Sequence, residues 1–145
     1  MIRLAKRTDA KALQYVEDTC FPSDRHRILY PSMLYMLRNK HALFLVYEED
    51  ILCAYVLVLC YDRNRFARIY SLAVLPEYRR RGIAEKLLID VEQRCKKGGL
   101  KLEIRDDNLA AMDLYKKLGY SVSGRKRGYY EPTVDALEMV KIFDN

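Results

Sequence analysis

Residues 71–88, SLAVLPEYRRRGIAEKLL, hold the densest candidate chemistry in the chain. An apolar run stops at Pro76, a short turn follows, and Arg79-Arg80-Arg81-Gly82-Ile83-Ala84 opens a segment with helical spacing. The first N–H groups of a helix have no partner inside it, and the aligned peptide dipoles make that end positive. A pyrophosphate satisfies both conditions. Gly82 and Ala84 would let it approach the amides, where a larger side chain would hold it off, and three arginines add charge. A solvated, basic helix end has the same appearance. The segment is neither the GxxxxGK[ST] phosphate loop nor the GxGxxG dinucleotide fingerprint.

A second group lies downstream. Glu103 stands between Leu102 and Ile104 in a strand-like run, where alternation turns it to the face opposite those two. Tyr115 follows Asn108 by seven residues, two helical turns, so both fall near one helix face. Taken alone, these are equally a solvated strand carboxylate, a helix N-cap and a core tyrosine.

The elements that must position these groups follow from length and pattern. With 145 residues the chain has the size of one domain, expected over 1–145. No apolar run approaches the ~20 residues of a membrane-spanning helix, and the start has no apolar stretch of signal-peptide type. Four scattered cysteines (Cys20, Cys53, Cys60, Cys95) and two histidines fifteen residues apart, His26 and His41, give no metal-site spacing. No metal is expected; reduced, mostly buried thiols in a cytoplasmic protein are. The formal charge of +6 suits an anionic partner, though many basic proteins have none.

Residues 2–5 read as an opening strand. A helix capped at Thr8 or Asp9 then carries Leu13, Val16 and Cys20, and ends at Phe21-Pro22. A partly helical stretch follows, interrupted by Pro31. From His41 the period becomes that of strands: a hairpin turning at Glu48-Glu49-Asp50, then a third strand stopped by Pro76. The pattern predicts a helix over 81–97 closed by Gly98-Gly99, a strand over 100–105, a helix over 108–118 and strands over 121–127 and 134–143. The order β-α-α-β-β-β-α-β-α-β-β predicts an α/β fold, one mixed, mostly antiparallel sheet of about seven strands flanked by about four helices.

With these motifs in place, the chain resembles the GNAT (GCN5-related) N-acetyltransferases over nearly its whole length. Arg79, Gly82 and Ala84 fit the family's [RQ]-x-x-G-x-[GA] after a strand. Asn108, Ala111, Tyr115, Gly119 and Tyr120 fit its N-x-x-A-x-x-x-Y-x-x-x-G-[FY]. The resemblance implies acetyl-CoA as cofactor. The amides and side chains over Arg79, Arg80, Arg81, Gly82, Ile83 and Ala84 would hold its pyrophosphate. The main chain of Leu72-Ala73-Val74 would hold the pantetheine arm, with Asn108 and Tyr115 also in contact. Among its members the chain is most similar to the ribosomal-protein alanine acetyltransferases. That likeness implies Glu103 as general base and Tyr115 as proton donor to the departing thiolate. A YY…DA..M arrangement, here Tyr129, Tyr130, Asp135, Ala136 and Met139, and the Phe21-Pro22 loop resemble the peptide-binding parts of protein N-terminal acetyltransferases. Plain hairpin and helix-end chemistry accounts for both as well.

The acceptor follows from an energy difference. An α-amine titrates near ~8 and a lysine near ~10.4, so deprotonating lysine at neutral pH costs roughly 3 kcal/mol more. One carboxylate is better matched to the α-amine of a peptide or protein. A lysine or small-molecule amine remains the alternative, and a non-catalytic module binding CoA or RNA ranks below both. The loop between the paired tyrosines and Asp135-Ala136, residues 131–134, is short for the family, and Arg125-Lys126-Arg127 is not a family requirement. No membrane or nucleic-acid partner is expected, and the protein is expected to be a monomer or homodimer.

Overall fold

In the computed structural model, which describes residues 1–143, these patterns become β1 (Ile2–Leu4), α1 (Ala10–Cys20), α2 (Tyr30–Arg38), β2 (Ala42–Glu48), β3 (Leu52–Leu59), β4 (Phe66–Val74), α3 (Ile83–Arg94), β5 (Gly99–Arg105), α4 (Leu109–Lys117), β6 (Ser121–Glu131) and β7 (Val134–Ile142). Residues 144 and 145 of the expected domain lie outside the described residues. The order is the predicted one. The seven strands form one sheet in the order β1-β2-β3-β4-β5-β7-β6, antiparallel except where β4 meets β5.

β3, LCAYVLVL, is apolar along its length and buried throughout. Both α1 and α3 pack on it and on β4, which is why it lacks the alternation of a half-exposed strand. The feature that matters most for function lies beside it. β4 and β5 pair only through Phe66↔Gly99, Ala67↔Leu100 and Arg68↔Lys101. Beyond Arg68 the two part, β4 staying with β3 as far as Val74 and β5 with β7 as far as Arg105. A register shift opposite Leu57 and Val58 leaves one extra residue, Tyr70, on β4. Such a bulge bends its strand, here where the gap opens.

Several boundaries differ from the sequence reading. Pro31 starts α2 rather than interrupting it, because a proline in the first helical turn lacks only an N–H that would be unpaired anyway. α3 is shorter than 81–97: Gly82 is its N-cap and the chain turns extended at Cys95. Gly98 and Gly99 therefore do not close that helix but serve the sheet; a Cβ on Gly99 would lie 2.3 Å from the Lys141 carbonyl. β6 runs on to Glu131, which pairs with Val134 across a two-residue turn, while its register shifts between Lys126 and Glu131. Gly128, at φ +61°, allows that excursion, and the Asp135 carboxylate accepts its N–H at 2.7 Å. All four cysteines are unbridged, Cys53 buried and the other three half-buried, against the mostly buried set expected.

Candidate active site

The mouth of α3 is built by two residues in left-handed conformation, Arg80 at φ 65° and Gly82 at φ 75°. This conformation is what calls for glycine at 82: a Cβ there would meet nothing within 4 Å, so close packing does not require it. The first helical bond is Lys86 N–H to the Gly82 carbonyl at 3.0 Å. The amides of residues 83–85 thus have no helical acceptor. They border a cavity of about 340 Å³ lined by Val74, Arg79, Arg80, Gly82, Ile83, Ala84 and Leu114 among others. A diphosphate fits this mouth: unpaired amides, open space over Gly82 and two arginines at the rim.

The third arginine points elsewhere. Arg81 lies over the Tyr78 ring at 4.9 Å, donates to the Glu77 carbonyl and pairs with Glu49 at 3.5 Å. Arg79 donates through Nε to the Val74 carbonyl at 2.9 Å, and the Cys20 thiol donates to the same oxygen at 3.3 Å. Of the strand segment expected to face a cofactor arm, Val74 lines this cavity, Leu72 lines the next one, and the Ala73 side chain is buried in the sheet.

That next cavity, about 210 Å³, shares Leu114 with the first and is lined by Phe21, Leu72, Glu103, Asn108, Tyr115 and Tyr130, with Glu17 and Ser71. Tyr115 comes from α4, 4% exposed, its ring edge-on to Tyr120 at 5.3 Å. Burial, then the neighbouring Tyr130, pushes its pKa up, so it stays a protonated phenol. Asn108 is the N-cap of α4, its Oδ1 accepting Ala111 N–H at 3.1 Å; it lines the cavity as well, so the capping and cavity roles coexist. Glu103 points away from buried Leu102 and Ile104, as alternation requires, yet its side chain is only 8% exposed. Arg68 Nη2 meets one oxygen at 2.5 Å and the Lys126 ammonium pairs with the other.

The excursion in β6 carries the paired tyrosines over this cavity. The His26 ring stacks on Tyr129 at 4.6 Å and meets Tyr130 edge-on at 5.6 Å, and Arg25 donates to the Tyr129 carbonyl at 2.7 Å. Tyr130 titrates higher than an ordinary tyrosine, pushed up to about 12 by burial and the Glu103 charge. Phe21 and Tyr130 also line an outer groove of about 500 Å³ with Pro22, Asp24 and Pro132. The residues selected from sequence therefore border one continuous path, except Ala73, Arg81 and Tyr129. Tyr129 borders a small adjoining recess instead.

Sequence reasoning missed Glu17, Arg68, Lys126 and His26. Glu17 was findable: it falls at i+4 from Leu13 on the apolar stripe of α1, where a charge is out of place. His26 carried no signal, because its stacking depends on a loop meeting a hairpin a hundred residues away.

Fold and site define an acyl-transfer enzyme framework, and the chain belongs to the acetyltransferase (GNAT) family, whose model matches residues 10–120. It is similar to the [ribosomal protein bS18]-alanine N-acetyltransferase of Escherichia coli strain K12, 39% identical over 75 residues, half of each chain. N-alpha-acetyltransferase 20 of Dictyostelium discoideum is 37% identical over 82 residues, 54% of this chain and 47% of that one. The chain thus spans about half the length of the curated relatives it matches. Among solved structures, Ard1 from Thermoplasma volcanium is 25% identical with a TM-score of 0.88, covering 100% of this chain and 98% of that one.

Proposed function

We propose that the protein transfers an acetyl group from acetyl-CoA to the N-terminal α-amine of a peptide or protein. The observation that carries the reading is the continuity of the path. The α3 mouth, the free edge of β4 and the Tyr115 side chain border adjoining cavities that meet at Leu114, and an outer groove leads away from Tyr130. When bound, acetyl-CoA supplies the activated acetyl thioester. The amides of residues 83–85, with Arg79 and Arg80, would hold its diphosphate. The β4 edge at Leu72 and Val74 would orient the arm toward the cavity that Tyr115 and Asn108 line.

Tyr115 Oη holds the proton that the departing sulfur takes up; burial keeps it there at neutral pH. Glu103 faces the same cavity from β5 and accepts the acceptor's proton, and Arg68 and Lys126 fix its two oxygens in place. Phe21, Pro22 and Tyr130 form the wall and mouth through which a chain end enters, and Tyr129 borders the recess beside them. An outer groove that shares Phe21 and Tyr130 with the inner cavity suits a peptide terminus, whose remaining residues must stay outside. The matched relatives whose names specify an alanine or N-alpha substrate support the same acceptor. The unbridged cysteines fit a reducing, cytoplasmic setting.

The test is acetyl-CoA turnover on a peptide panel with free or blocked N-termini. Acetylation of the free α-amines alone is expected. Acetylation confined to internal lysines, or independent of the block, would refute the assignment.

A further inference from the structure

The proposed reaction makes no use of Glu17, although it is the most buried charged side chain among the described residues, at 1% exposure. The other buried carboxylate, Asp9, is held by Arg3 at 2.9 Å. Glu17 meets only neutral donors: Ile28 N–H at 2.6 Å on Oε2, and the Tyr55 hydroxyl and Ser71 Oγ (3.5 Å) on Oε1. Of the arginines in the cavity lining, Arg27 pairs with Asp18 and Arg105 with Asp107 and Glu131, not with Glu17.

Burying a carboxylate without a countercharge costs several kcal/mol. A glutamine would accept from the same donors without that cost. The charge therefore needs a use, and its surroundings suggest one. Ser71 Oγ lies 2.9 Å from the Tyr55 hydroxyl, which bonds Glu17. Ser71 and Glu17 both line the 210 Å³ cavity, and Ser71 directly precedes Leu72 where β4 is free of β5. Across the gap, Glu103 already has two cations on it. The cavity lining thus holds three carboxylates, Glu17, Asp24 and Glu103; Asp24 is half-exposed at the loop, and of the two with buried side chains only Glu17 lacks a countercharge when an ammonium enters.

Resting on the N-acetyltransferase reading, we propose that Glu17 is the sink for the proton the acceptor's ammonium must lose, reached through the hydroxyls of Ser71 and Tyr55. The ammonium gives a proton to Ser71 Oγ, Ser71 passes its own to Tyr55 Oη, and Tyr55 passes its own to Glu17 Oε1. Each hydroxyl ends with one proton; the net change is ammonium to amine and carboxylate to carboxylic acid. Ser71 touches the acceptor, and Tyr55 and Glu17 act through it as positioning residues. Burial raises the proton affinity of Glu17, which suits a sink, and keeps Tyr55 a phenol. Glu103 keeps its role as base for the second proton, the one the nitrogen loses once it has bonded to the acetyl carbon.

The experiment compares E17Q, S71A and S71T with the wild type on a peptide it acetylates, measuring kcat and both KM values, with thermal melting as the check on folding. E17Q keeps the bond from Ile28 and the loop it anchors, so a purely structural Glu17 predicts an unchanged kcat. The relay predicts that E17Q and S71A each lower kcat by tenfold or more while KM for acetyl-CoA stays within twofold. It also predicts that S71T, which keeps the hydroxyl, recovers much of the loss of S71A. An active wild type matched in kcat by E17Q and S71A overturns the relay alone. A wild type that acetylates no amine overturns the N-acetyltransferase reading and the relay with it.

Discussion

Replacing Tyr115 by phenylalanine separates chemistry from folding more cleanly than any other single change in this site. The substitution deletes one oxygen from a side chain that is 4% exposed. The ring keeps its edge-on contact with Tyr120. Among the described residues the Tyr115 hydroxyl makes no hydrogen bond, so none is lost, and the residue borders the cavity into which the oxygen can point. A hydroxyl that faces a cavity and has no protein partner gives up little when it is removed, and the expected change on folding is within about 0.5 kcal/mol of zero. A positioned proton donor is worth about 10²–10⁴ in rate, or roughly 2.7–5.5 kcal/mol of barrier. The effect on catalysis should therefore exceed that on folding at least fivefold.

The assay is CoA release at saturating acetyl-CoA and peptide, with calorimetric binding of acetyl-CoA and thermal melting alongside. kcat should fall at least a hundredfold while acetyl-CoA affinity and melting temperature hold. Because burial raises the Tyr115 pKa above its ordinary value, its deprotonation should not limit wild-type kcat as pH approaches ~10. A kcat for Y115F within twofold of wild type would remove Tyr115 as the proton donor. A parallel loss of acetyl-CoA affinity would make its hydroxyl a binding group instead.

Gly82→Ala should cost about 1 kcal/mol of stability from the left-handed backbone alone, visible in thermal melts, whereas Gly82→Glu should also abolish acetyl-CoA binding in calorimetry. Asn108→Ala should lose about 1 kcal/mol through the missing N-cap, and Asn108→Asp should keep it; equal melting of the two would deny the cap. For Glu17, burial raises the folded-state pKa. Between the unfolded and folded values the native state holds more protons, so stability falls as pH rises through that window. E17Q, free of this penalty, should gain stability relative to wild type as pH increases from the ordinary carboxylate range; a difference independent of pH would place Glu17 in a less desolvated setting.

Much of this site was legible because its parts are local. The α3 mouth is a strand, a turn and a helix start within residues 71–88, and Asn108 and Tyr115 share one helix, so short-range spacing located both. Gly82 was legible as a position with room for phosphate, and the left-handed backbone at φ 75° adds a second requirement that the sequence did not show. What was not legible depends on pairing between distant segments. The partners of Glu103 come from β4 and β6, 35 and 23 residues away along the chain, and no periodicity within either strand marks them. The Tyr129–His26 stack needs the register shift in β6, which begins only where β6 overruns its predicted end at 127.

The same distinction separates what each half of the site does. The half proposed to hold the cofactor is made of backbone: free amides, a strand edge left unpaired beyond Arg68, a left-handed glycine. Such features tolerate side-chain change and bind a constant ligand. The half proposed to receive the acceptor is made of side chains from α1, the 21–29 loop, β4, β5 and β6, held by ion pairs and ring contacts across the sheet. On the proposed function, substitution there would change the acceptor site without touching the α3 mouth. Exchanges at His26 or Tyr129 should therefore move peptide preference while leaving acetyl-CoA affinity in place, and a panel of peptide termini read by kcat/KM distinguishes that from a general loss of activity.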